Sequence, residues 1–183
     1  LIQKFVNNGQ LLAAHDVSAG GLITTLLEMT FANTKGGLDI SLDGFNEHDT
    51  VKILFSENPA LVIQVASRSC NKIETMCEKK GVKIINLGTT SDERTVIVDN
   101  GDAEYLFGID YLRDLWFKTS YLLDKKQSGE KCAKSRFENY AKQPIRYKVS
   151  KDFTGKLADL GISLSKHTPS GIKAAIIREK GVN

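Results

Sequence analysis

Cysteine is scarce in this 183-residue chain: Cys70, Cys77 and Cys132 are the only three, and no two form a CxxC pair. A structural zinc site needs about four ligands in tighter groupings, and a disulfide framework shows an even count, so neither is expected. Reduced cysteines suit the cytoplasm, the expected location. Long apolar runs are also missing. No stretch approaches the ~18 consecutive apolar residues of a membrane span, which argues against a membrane partner. The opening Leu1-Ile2-Gln3-Lys4 has no initiator methionine and no charged segment leading into an apolar signal core, so it reads as the edge of an excised piece.

An excess of one charge sign is missing too. The formal net charge of +3 is too small to argue for nucleic acid. Its distribution is uneven, because eleven Lys or Arg stand against four acids between Arg113 and Lys151. Tyr121, Phe137, Tyr140 and Tyr147 are interleaved there, yet Gly-rich or RNP-like patterning is absent. A solvated basic connector lying on an acidic neighbour is the better reading, with no nucleic-acid partner.

What is present is a hydrophobic content of 41%, enough to bury one ordinary core and leave a tail. The most informative stretch is His15-Asp16-Val17-Ser18-Ala19-Gly20-Gly21-Leu22. It places a carboxylate, a hydroxyl and paired glycines between an apolar run at Leu11 to Ala14, read as a strand, and a helical pattern from Leu22 to Ala32. Backbone N–H groups at a helix start, with no Cβ at Gly20 or Gly21, suit an anion. The plainer alternative is a helix cap by Asp16 or Ser18 and a simple Gly-Gly turn. Glu57, before the apolar run Ala60 to Val65, could meet Asp16 in space, and magnesium with a nucleotide needs only one or two protein carboxylates. Glu57 could equally cap or face solvent. His15 could serve in acid-base chemistry or simply donate to a carbonyl.

The remaining elements read in order. Residues 1 to 8 end a helix at Asn7, Asn8 and Gly9. Leu38 to Leu42 alternates as a half-buried strand, and a short helix spans about 47 to 54. Ala60 to Val65 is expected as the central strand. A helix from 69 to 80 stops at Gly81, and Val82 to Leu87 is expected as a further strand. Thr95 to Val98 and Glu104 to Phe107 form a hairpin through Asn100-Gly101. Asp110 is expected to cap a helix running to about Leu123. The sum is an α/β sandwich with a mixed sheet over residues 1–125. A basic surface linker follows over 126–171, with a short helix near 131 to 140, and then a new α/β domain beginning at 172–183.

The run Ala14 to Leu22, with Leu54-Phe55-Ser56-Glu57 and Ala60 to Val65 downstream, resembles the C-terminal half of the aminoimidazole ribonucleotide synthetase-like (PurM-like) family. Lys173 to Asn183 resembles the first strand and turn of a class I glutamine amidotransferase domain. Together with Tyr111 to Trp116 and the basic connector, this is similar to the second repeat of the large, glutaminase-fused phosphoribosylformylglycinamidine synthase family. The resemblance implies a PurM C-terminal-like fold and a part in an ATP-dependent amidoligase of purine biosynthesis. That enzyme class turns formylglycinamide ribonucleotide into its amidine with glutamine and ATP. Its second repeat holds an auxiliary ATP or ADP with Mg2+, so Asp16 would be a magnesium ligand and Ser18, Gly20 and Gly21 nucleotide contacts. The implied partners are the remaining domains of the same polypeptide: the first repeat, the N-terminal half of the second, and the glutaminase domain. Many members carry Asp where this chain has Ala19. No catalytic residue is expected here, since Cys132 fits no nucleophile turn. Two other readings stay open: a non-catalytic nucleotide-binding or scaffold module, and a subdomain of another PurM-like ATP-using enzyme.

Overall fold

The computed structural model describes residues 1–142, 148, 152 and 154–162. The chain divides into two compact units, Leu1–Tyr140 and Ala141–Asn183. In the second, the described residues include a turn of 3-10 helix at Leu157–Leu160, closed by Gly161. The start of a glutaminase-like domain expected at 172–183 lies outside the described residues.

The first unit is a mixed α/β assembly. Its larger sheet has the order β4-β2-β5-β6, with β2 at Gly37–Ser41, β4 at Gly88–Ser91, β5 at Thr95–Asp99 and β6 at Glu104–Gly108. β2 and β5 run parallel while the other pairs are antiparallel, so the sheet is mixed as expected. β1 at Ala13–Val17 and β3 at Ala60–Gln64 form a separate antiparallel pair. The helix α2, Gly21–Phe31, packs against β1, against α3 at Thr50–Phe55, and against α5 at Ile109–Ser128.

Apolar burial explains this arrangement. Leu22, Ile23 and Leu26 of α2 meet Ile40, Ile53, Leu54, Val96, Val98 and Ile109 in one core. A second cluster joins Phe5 of α1, Ile2–Asn7, to Ile73 and Cys77 of α4, Cys70–Glu78. Burial pushes the Cys77 thiol pKa up, which keeps it neutral and inert.

Four expectations are corrected. The strand placed at Leu11 to Ala14 runs instead from Ala13 to Val17, because Ala13, His15 and Val17 face inward while Ala14 and Asp16 face out. The run Ala60 to Val65 is a strand but not a central one: β3 pairs with β1, and Leu61 is exposed. Val82 to Leu87 is not a strand, since Ile84 anchors in the second cluster and Leu87 in the first, stretching the segment between two cores. The ladder begins where the Leu87 carbonyl accepts from Ser41 N at 2.8 Å, and continues as β4. Asp110 does not cap α5, whose N-cap is Gly108; its carboxylate pairs with Arg94 and Arg113, each at 3.1 Å.

The expected boundary at residue 125 falls inside α5, which continues to Ser128. After Gly129 the chain turns into α6, Glu130–Asn139, matching the short helix read near 131 to 140. Tyr121 stacks on Phe137 at 4.9 Å and Phe117 on Tyr140 at 4.1 Å, while Ala133 is buried in the seam. Arg136 clasps Asp124 through two nitrogens at 2.8 and 2.7 Å. Aromatic stacking of this kind contributes about 0.5–1.5 kcal/mol per pair beyond area burial.

Candidate functional site

The motif-bearing turn joins the end of β1 to the start of α2. Strand alternation sets Asp16 outward, its side chain 74% exposed. The Ser18 carbonyl accepts from Gly21 N at 3.0 Å, closing the turn, and Ser18 itself is exposed. The N-cap of α2 is Gly20, which has no side chain, so neither Asp16 nor Ser18 performs the capping that would make the motif ordinary. Both remain at the surface beside a helix start. Thr25, buried on α2, donates to the Asp16 carbonyl at 3.1 Å and to the Gly21 carbonyl at 3.3 Å, locking the strand end to the helix.

The paired glycines have reasons internal to the fold. Gly20 has φ +86° and Gly21 φ +75°, where a side chain is strained. A Cβ on Gly21 would lie 2.6 Å from the Leu54 carbonyl oxygen, and one on Gly20 would lie 2.3 Å from Thr24 Oγ1. Close packing of α2 on α3 therefore demands Gly21 whether or not a ligand approaches.

Glu57 and Asp16 stand near the same turn with different tasks. A Glu57 carboxylate oxygen accepts from Gly20 N at 2.9 Å, which makes Glu57 a cap supplied from a distant segment. A negative group there is favoured by the helix dipole. Asp16 carries the outward carboxylate. Among the described residues no group of three or more His, Cys, Asp or Glu could by itself hold a metal ion. A nucleotide-bound magnesium, which takes most ligands from phosphate and water, still fits a lone exposed carboxylate.

His15 is committed elsewhere. Its Nδ1 lies 2.7 Å from the Asp16 carbonyl oxygen, which can only accept, and its Nε2 lies 3.3 Å from Glu28 Oε2. Trp116 Nε1 donates to the other Glu28 oxygen at 3.0 Å. With both ring nitrogens engaged, His15 ties β1 to α2 and α5. The link between Glu28 and Trp116 went unread in the sequence because it crosses 88 positions and leaves no local pattern.

Residues 1–100 match the family described as AIR synthase related protein, C-terminal domain. The chain belongs to that family. This AIR synthase-related domain is 31% identical over 183 residues to the phosphoribosylformylglycinamidine synthase of Saccharomyces cerevisiae, covering 94% of this chain and 13% of the relative. It is 27% identical over 198 residues to the synthase of that name from Drosophila melanogaster, covering 99% of this chain and 14% of the relative. The chain thus spans about one seventh of the length of these curated relatives. Among solved structures, Thermotoga maritima PurL complexed with ATP has a TM-score of 0.55 at 19% identity, covering 60% of this chain and 20% of that one. The complex of the same protein with ADP has a TM-score of 0.53 at 20% identity, with the same coverage of both chains. At these identities the likeness is one of fold, and it agrees with the mixed α/β architecture.

Proposed function

We propose that this AIR synthase-related domain is the C-terminal subdomain of the second PurM-like repeat of a phosphoribosylformylglycinamidine synthase, an ATP-dependent amidoligase of purine biosynthesis. Its part is to supply half of an auxiliary nucleotide–magnesium site, with the other half coming from the remaining domains of the same polypeptide. The observation that carries this reading is the pairing of an exposed Asp16 carboxylate with an exposed Ser18 at a helix start that neither of them caps. Such a start offers the positive end of the helix dipole to phosphate oxygens. Asp16 would hold magnesium, whose role is to neutralise phosphate charge, and Ser18 would contact the nucleotide. The chain by itself is inert toward formylglycinamide ribonucleotide, glutamine and ATP.

Calorimetric titration with Mg2+ and ADP tests this proposal. Weak binding that Asp16→Ala abolishes supports it; binding indifferent to Asp16→Ala, or none at all, removes it. ATP-dependent amidine formation by the purified chain would overturn the inert role. A scaffold reading has its own support, because Gly21 is already explained by its approach to Leu54 and Gly20 by Thr24. On that reading Asp16→Ala and Ser18→Ala leave every measurement unchanged.

A further inference from the structure

We infer that Glu57 is the positioning residue of this turn, a carboxylate clasp that holds Ser18 and the first amides of α2 in register for the ligand. The inference rests on the nucleotide reading above for its ligand, and on geometry for the clasp. β1 and β3 pair antiparallel from Ala13 opposite Gln64 to Val17 opposite Ala60. Extending that register sets Ser18 opposite Pro59, Ala19 opposite Asn58 and Gly20 opposite Glu57. Backbone pairing of the two strands ends at Val17 opposite Ala60, just before Pro59.

The side chain of Glu57 takes over where the backbone stops. Its oxygen accepts from Gly20 N at 2.9 Å, beyond the last strand pair and at the positive end of α2. Charge-assisted bonds of this kind are roughly twice as strong as neutral ones. The neighbouring Ser56 hydroxyl accepts from Asn58 Nδ2 at 2.7 Å, which braces the segment carrying Glu57. Because Gly20 and Gly21 both sit at positive φ, this turn relies on external contacts to select one conformation. Glu57 supplies one at the surface and Thr25 supplies another from the core side.

Amide hydrogen exchange of the full chain tests the clasp, read at Gly20 and Gly21 against Val96 and Val98 of β5. Glu57→Ala should speed exchange at Gly20 at least ~10-fold, the loss of one charge-assisted bond, with the β5 amides unmoved. Glu57→Gln, which keeps an acceptor oxygen, should restore most of the protection. Glu57→Ser, too short to reach, repeats the readout if the alanine variant does not fold. Unchanged exchange at Gly20 in the truncated variants overturns the clasp. Titration with Mg2+ and ADP reads the ligand side: affinity should fall in Glu57→Ala and return in Glu57→Gln. Equal or tighter binding by Glu57→Ala overturns the positioning role. Failure of the wild type to bind overturns the nucleotide reading, while exchange still judges the clasp.

Discussion

At the residue scale, the turn separates groups that build the fold from groups free to meet a ligand. Gly21→Ala forces a Cβ at positive φ against the Leu54 carbonyl, so we expect a loss of more than about 1 kcal/mol in urea denaturation. Asp16→Ala touches nothing buried and should change stability by less than about 0.5 kcal/mol, so any loss of binding it causes is local. Trp116→Phe keeps a ring against Phe31 but deletes the donor to Glu28, at a cost of about 0.5–1.5 kcal/mol in the same assay. The local motif announced Asp16, Ser18 and the glycines. It could not announce that Glu57 reaches Gly20 across 37 positions, since that contact exists only once β1 and β3 are paired.

At the element scale, the α5–α6 hairpin shows how a charge-rich segment becomes ordered structure. Its apolar periodicity is thin after residue 125, but Phe137 and Tyr140 fall where they stack on Tyr121 and Phe117, and Arg136 fixes the register on Asp124. The Arg136 guanidinium, followed by the Ser128 hydroxyl, holds the Asp124 carboxyl below its usual range. A depressed folded pKa means the contribution is complete above the ordinary carboxylate value of about 4, and is lost as pH falls through the lower folded value. Acid titration followed by Tyr fluorescence should show hairpin loosening below pH ~4, and Asp124→Asn should erase that step. The misread strand at Val82 to Leu87 teaches the converse. Its apolar residues serve two clusters, and pattern alone cannot tell a ladder from a tether.

At the scale of the whole first unit, two cores stabilise one assembly, and the smaller one depends on the N-terminal helix. Phe5 is fully buried against Ile73 and Cys77, so Phe5→Ala should cost about 3–5 kcal/mol by chemical denaturation. Among the described residues no helix is long and apolar enough to cross a membrane. The chain spans about one seventh of the length of its curated relatives. Asp16 and Ser18 are outward-facing and do not close a site alone.

The amino-acid pattern by itself determined most of the element types, the mixed α/β class and the location of the motif. These depend on periodicity and turn chemistry within a few residues. Tertiary structure alone decided that β3 leaves the main sheet, that His15 is spent on Glu28, and that Gly20 is held by Glu57. Each of those rests on partners far apart in the chain, whose meeting is set by strand register and by which apolar faces find each other in burial.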